Sequence, residues 1–483
     1  MHFSIIFKFL GILLMIFSLT HLVPLAVSFY YADGLYPVFI SSFALTLTIG
    51  LVFWSPVYKA YQDLRVRDGF LITALFWLVL GSFGSMPFFM HSNYEMSLMD
   101  ALFESISGLT TTGATVITDL DNLPKSLLYY RQQLQWLGGI GIIVIAVAIL
   151  PMLGIGGMQL YRTETPGPIK DSKLTPRITE TAKWLFIIYA SLTVVCALAY
   201  WLAGMTPFDA IAHSFSTVAI GGFSTHDTSM GFFQSPLIWG IACFFMFISG
   251  LNFALHFFTW KRFEFKHYFS DSEAKFYFFY ILIAIGITLW VLYQANMFNE
   301  RPYFYMEAIF QVVSLATTTG FTTTDFSLWP SFLPIFLIYL SIIGCCAGST
   351  GGGVKVIRIV LMLKMSVREL RLLIHPKAMI PIKLKKKRVG NDVISAVWSF
   401  IAVYCATYIV LLIILQASGV DFISAHSATL SMLNNLGPGL GNVTSHYADL
   451  NDFAKAVLCF GMLLGRLEIF TLLILFTPGF WQR

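Results

Sequence analysis

Apolar windows of about 20 residues recur from one end of this 483-residue sequence to the other, each long enough to cross the ~30 Å hydrocarbon core of a bilayer as a helix. A chain built this way cannot present a water-facing surface around one soluble core. Only 11% of its residues are charged and 57% are hydrophobic, against roughly 25% charged in soluble domains. In hydrocarbon every backbone N–H and C=O must be satisfied within the chain, so the fold class expected is an all-α membrane protein. About ten spans are predicted, near 5–29, 36–56, 69–90, 131–157, 182–204, 236–259, 276–297, 330–362, 393–417 and 454–478. The first is expected to stay in the protein: it exceeds a signal-peptide core, lacks a small-residue cleavage site and is soon followed by a second apolar run.

Charge gives the topology. Lys59, Arg65 and Arg67, then Arg162, Lys170, Lys173 and Arg177, then Lys261, Arg262 and Lys266, then Arg368, Arg371 and the Lys383–Arg388 stretch fall in alternate connections. The intervening ones hold only Lys125, Arg131, Arg301 and Lys455, with Asp119, Asp121, Asp421, Asp449 and Asp452. By the positive-inside rule both termini are cytoplasmic. The net charge of +5 is spread over these loops and over anionic lipid, so membrane lipid is an expected partner and nucleic acid is not. All six Cys lie in or beside apolar runs without metal-ligand spacing, which makes them packing residues.

Four connections on the acidic side carry one pattern. Asp100 and Gly113, Asp209 and Gly222, Glu307 and Gly320, and Ser424 and Gly437 are each 13 residues apart, with Ala after the first position every time. The repeat predicts four helix, re-entrant segment, helix units after an N-terminal helix pair at 1–56, dividing at 57–160, 161–262, 263–375 and 376–483. In each, a short helix begins near the acidic or Ser residue and gives way to backbone that Gly, Thr or Pro keeps from being helical. Such backbone is tolerated at membrane depth only beside protein or a water-filled path. Four such segments around one axis make a cation filter: carbonyl oxygens replace the water shell of an ion and release it to the next site. The segments are Thr111, Thr112 and Gly113; Ile220, Gly221 and Gly222; Thr318, Thr319 and Gly320; and Asn435, Leu436 and Gly437. The carbonyls expected to meet the ion are those of Thr111, Thr112, Ile220, Gly221, Thr318, Thr319, Asn435 and Leu436.

The strings Leu109-Thr-Thr-Thr-Gly-Ala114, Ile220-Gly-Gly-Phe-Ser-Thr225, Ala316-Thr-Thr-Thr-Gly-Phe-Thr322 and Asn434-Asn-Leu-Gly-Pro-Gly439, with Cys346-Ala-Gly-Ser-Thr-Gly-Gly-Gly353 and Gly465-Arg-Leu-Glu468, resemble the pore-forming subunit of the bacterial Trk potassium uptake system, in the Trk/Ktr/HKT superfamily. The resemblance covers essentially the whole chain and favours the long Trk type, because residues 1–56 supply an extra helix pair. It implies potassium as the transported ion, a homodimer with one pore per subunit, residence in the bacterial inner membrane, and a cytoplasmic TrkA-type regulatory ring that alone would carry nucleotide. No covalent cofactor is implied. Gly in all four filter positions goes with potassium preference in this superfamily, where some sodium-conducting members replace the first Gly by Ser. Passive conduction and uptake coupled to protons or sodium both stay open.

Gly348, Ser349, Thr350, Gly351, Gly352 and Gly353 cannot continue a comfortable membrane helix and predict a break inside the bilayer. By resemblance this is a gating loop below the filter; close helix packing through small residues is the alternative. Its likeness to a phosphate loop fails because Val354 stands where Lys is required and Lys355 comes one residue late. Arg466 is an intramembrane charge that must face protein or a wet cavity, and its two-residue spacing from Glu468 makes an intrahelical pair poor. The resemblance places it at the gate. Asp119, Asp121 and Asp227 have no nucleophile or metal to converge on, so no enzymatic activity is expected.

Overall fold

A computed structural model describes residues 2–60, 65–91, 96–144, 178–262, 264–299, 302–384 and 387–482. The end of the expected span 131–157, the expected boundary at 160, and Arg162, Lys170, Lys173, Arg177, Arg301, Lys385 and Lys386 lie outside them. Apart from a two-residue antiparallel pairing of Lys383–Leu384 with Lys387–Arg388, the described elements are helices. Six are long and apolar enough to span a bilayer, or eight if two sharply bent pairs are each one span.

Three expected spans are broken. Pro236–Ser249 and Phe253–Trp260 meet at 93°, and Asp452–Arg466 and Phe470–Phe476 at 110°, where uninterrupted helices at 236–259 and 454–478 were expected. Asn252 and His256 shape the first bend: Asn252 Oδ1 accepts from Ala254 N at 2.8 Å, and His256 Nε2 lies 3.0 Å from Ile248 O. At the second, Glu468 and Ile469 take φ of +55° and +57°, which no helix accommodates. The third is the break expected from the glycines, where Leu333–Ile343 stops and Val356–Ile374 resumes.

Four short helices are buried among these: Leu98–Leu109, Pro207–Ala219, Phe304–Ala316 and Phe422–Asn434, called here the first to fourth inner helices. Ser97 Oγ accepts from Asp100 N at 3.0 Å, Thr206 Oγ1 from Asp209 N at 3.1 Å and Asp421 Oδ2 from Ser424 N at 3.1 Å. The repeat-register residue is thus in the first turn and the cap lies three residues before it, each cap satisfying one orphan amide. The third inner helix follows Tyr303 without a side-chain cap.

Packing of the inner helices closes on itself. The second lies against Lys125–Val144 of the first unit, the third against Pro236–Ser249 of the second, the fourth against Leu333–Ile343 of the third, and the first against Asp452–Arg466 of the fourth. The N-terminal helix Phe3–Thr20 packs against both Tyr36–Trp54 and Val66–Gly84. Gly11 and Gly50 make the first of these approaches possible, since a Cβ on Gly11 would sit 2.7 Å from Gly50 O.

Candidate functional site at the ring of four glycines

All four inner helices end alike. Thr112 N, Gly221 N, Thr319 N and Leu436 N donate five residues back to the carbonyls of Ser107, Ser216, Ser314 and Ser431 at 2.8–2.9 Å. This is the Schellman closure, which needs a left-handed residue just before the donor. Thr111, Ile220, Thr318 and Asn435 stand there with φ of +53°, +56°, +61° and +52°. Three of these are β-branched, for which the left-handed region is an outlier costing about 1–3 kcal/mol. Two residues on, Gly113, Gly222, Gly320 and Gly437 are again at positive φ, from +80° to +103°. Alternating the sign of φ turns successive peptide planes so that their carbonyls share one side of the chain, unlike those of a strand.

The glycines bring the four segments into a ring. An ideal Cβ on Gly113 would lie 2.1 Å from Gly221 O, one on Gly222 2.1 Å from Thr319 O, one on Gly320 2.0 Å from Leu436 O, and one on Gly437 2.6 Å from Thr112 O. Each glycine therefore abuts the carbonyl that precedes the next unit's glycine, and the fourth returns to the first. Four of the eight carbonyls singled out in the sequence, those of Thr112, Gly221, Thr319 and Leu436, meet here. The second unit departs from the others: Gly221 O also accepts from Gln135 Nε2 at 2.5 Å, while Gln135 Oε1 takes Phe223 N at 3.0 Å. Asn435 Nδ2 donates to Thr112 Oγ1 at 3.0 Å and joins the fourth segment to the first.

One side of the ring opens into a vestibule of about 350 Å³ lined by Gly113, Gly222, Gly320 and Gly437 with Arg131, His226, Asp227 and Asp325. Arg131, counted above as a loop charge, is buried. Its Nε meets Glu104 Oε1 at 2.7 Å, Nη1 donates to Ser224 O at 2.9 Å, and Nη2 to Thr115 Oγ1 at 3.2 Å. Lys455, counted likewise, is buried against Asp100 Oδ1 at 2.5 Å. At the rim His226 Nδ1 lies 2.5 Å from Asp121 Oδ1, and its Nε2 lies 3.6 Å from Asp209 Oδ1. Burial opposes charge on this imidazole, but the bonds to Asp209 and Asp121 outweigh it and raise its pKa above 6.5.

On the other side, space contracts to a cavity of about 20 Å³ bordered by Gly348, Ser349, Gly351, Gly352, Gly353, Lys355, Asn435, Arg466 and Glu468, room for a single water. The 345–353 loop fills the rest and is tied to three units directly. Thr350 Oγ1 donates to Val218 O at 3.0 Å, Gly352 N to Thr318 Oγ1 at 2.7 Å, and Gly353 N to Asn434 O at 3.1 Å. Arg466 adds the first unit, with Nη1 on Thr350 O at 3.0 Å and Nη2 on Gly138 O at 2.7 Å. Glu468 pairs instead with Arg358, at 2.6 Å.

The structure thus places the four glycines and the carbonyls of Thr112, Gly221, Thr319 and Leu436 in one layer, and residues 348–353 with Arg466 in a second beside it. It adds residues that the sequence reading missed. The serines at 107, 216, 314 and 431 stand six before each glycine and were visible as a repeat. Glu273 had no such signal: its buried Oε1 accepts from Ala347 N at 2.7 Å and Ile357 N at 3.2 Å, pinning both limbs of the loop.

Fold and site together define a polytopic helical membrane transport protein in which four glycine-bearing segments meet on one axis. Known proteins supply the family. The chain belongs to the TrkH family of cation transport proteins, whose family model matches residues 35–483. It is 52% identical over 486 residues to the Trk system potassium uptake protein TrkH of Halomonas elongata and 50% identical over 483 residues to that of Escherichia coli, with 100% of both chains covered in each case. The crystal structure of the potassium transporter TrkH from Vibrio parahaemolyticus matches with a TM-score of 0.92 at 51% identity, covering 100% of both chains.

Proposed function

We propose that this chain carries potassium into the bacterial cell through the glycine ring, with the carbonyls of the four segments taking the place of the hydration shell. The observation that carries this reading is the closed cycle in which each glycine abuts the carbonyl before the next unit's glycine. Only a pore on the common axis gives four separate segments a reason to share strained, side-chain-free backbone at one point. The names of the relatives supply the ion. Residues 348–353 with Arg466 form the gate on the cytoplasmic side, because a cavity of about 20 Å³ passes no hydrated cation and a guanidinium beside it repels a bare one. Both termini are cytoplasmic, the chain divides at residues 56, 160, 262 and 375 into a helix pair and four pore units, and the active form is a homodimer docked on a TrkA-type nucleotide-binding ring.

Reconstitution of the full chain in potassium-loaded vesicles tests the reading. Potassium-selective flux through the opened protein is expected, and folded protein that passes no cation would overturn it. The broken helices favour a second reading, solute-coupled transport at a midplane site. A fixed stoichiometry with a second ion in the same vesicles would establish it.

A further inference from the structure

Lys355 ends the gate loop in a conformation that lysine avoids. Its φ is +79° and its ψ 132°, a combination open to glycine and sterically strained for any residue with a Cβ. The neighbours impose it. Val354 N donates to Ile342 O at 2.9 Å and Val356 N to Cys345 O at 3.0 Å, so the chain is fastened on both sides of Lys355. The Glu273 carboxylate holds Ile357 N, one residue further along.

The side chain turns back on the loop. Lys355 is 7% exposed, and its Nζ donates to Gly351 O, closing the last turn of the glycine-rich stretch. It borders the small cavity beside Arg466, and the one carboxylate there, Glu468, is engaged by Arg358 at 2.6 Å. Among the described residues no carboxylate lies within ion-pair distance of Lys355. The cavity below the ring therefore holds two cationic side chains, and a cation leaving the ring meets both.

Building on the gate reading above, we propose that Lys355 is the latch of the gate. Its ammonium holds Gly351 in the obstructing position and adds a second positive charge to the barrier, while its strained backbone favours release once that bond is lost. The loop is then a two-state element: one state gains the ammonium bond at the cost of a left-handed lysine, and the other gives up both.

The test is basal potassium flux through the full chain in vesicles without the regulatory ring, after each variant has been checked for a monodisperse folded state. Lys355→Met removes the charge and keeps the strain, and should raise basal flux about tenfold, as expected of removing one charge a few ångströms from the path. Lys355→Arg keeps a cation and a donor and should restore low flux, a rescue that a packing role would not predict. Lys355→Gly removes charge and strain together and should fall between the parent and Lys355→Met. If Lys355→Met does not fold, Lys355→Gln takes its place.

Parental flux in Lys355→Met, with free conduction in a chain lacking Gly351 and Gly352, would overturn the latch and leave the gate standing. Parental flux in both would overturn latch and gate together. Lys355→Arg as leaky as Lys355→Met would overturn the charge, and Lys355→Gly leakier than Lys355→Met would overturn the strain.

Discussion

Arg131 Nε donates to Glu104 Oε1 at 2.7 Å with both side chains out of solvent. The pair joins the first inner helix to the helix that follows it, and through Nη1 on Ser224 O it reaches the limb leaving the second unit's segment. Glu104 Oε2 also holds Val116 N at 3.1 Å. One ion pair thus braces the chain leaving two of the four segments of the ring. Arg131→Met should leave a buried carboxylate without its cation and cost about 3–5 kcal/mol, read as a lower thermal midpoint in detergent. Adding Glu104→Leu should recover much of that loss, and a double variant no more stable than the single one would refute the account.

Gly113→Ser should lower potassium over sodium selectivity. A Cβ there would lie 2.1 Å from the Gly221 carbonyl at a φ of +80°, so backbone of the ring has to move. Displacing one carbonyl by ~1.4 kcal/mol of misfit corresponds to about a tenfold change in relative permeability. Reversal potentials under bi-ionic conditions measure it, and an unchanged ratio would remove Gly113 from the filter.

Glu273→Ala should loosen the loop at its root. Two amides, Ala347 N and Ile357 N, lose their acceptor, at about 1–3 kcal/mol for each buried donor left unpaired. Raised basal flux is expected together with a lower thermal midpoint. Lower stability with unchanged flux would make Glu273 a brace of the fold with no part in the gate.

Arg466→Gln and deletion of Gly351 and Gly352 should each raise basal flux, and the double variant should rise by less than the product. Arg466 reaches the loop through Thr350 O, so the two changes dismantle one obstruction, and contacting groups are where additivity fails. Initial-rate vesicle fluxes on all three variants decide it; independent, multiplicative effects would separate Arg466 from the loop.

The vestibule rim should respond to pH. His226 has its pKa raised above 6.5, because its bonds to Asp209 and Asp121 outweigh its burial. A raised value in the folded state means that its contribution to stability is complete below pH 6.5 and is lost as pH climbs through the raised value. The stability gap between the parent and His226→Gln should therefore narrow as pH rises from 6.5, and Asp121→Asn should shrink it. A gap that is constant with pH would show that His226 contributes by packing against Phe232.

Much of the molecule was legible in one dimension. Hydrocarbon forces long apolar windows, and the 13-residue interval from Asp100 to Gly113 recurs in all four segments, each ending on a glycine at positive φ. Arg466 was conspicuous because an intramembrane charge is costly wherever it points. The bends after Ser249 and after Arg466 were not, since the bonds of Asn252 and His256 at the first and the left-handed Glu468 and Ile469 at the second are set only in the folded chain.

Sequence alone determined that this chain spans a membrane many times, that it carries four equivalent segments, and that 348–353 cannot be helix. Tertiary structure alone decided which atoms those segments touch. Gly437 meets Thr112 O, Arg466 meets Gly138 and Thr350, and Glu273 holds a loop more than 70 residues away. The reason is physical: periodicity and propensity act along the chain and repeat with it, whereas a hydrogen bond needs two groups within about 3 Å. Which distant groups come that close is settled only when the helices pack.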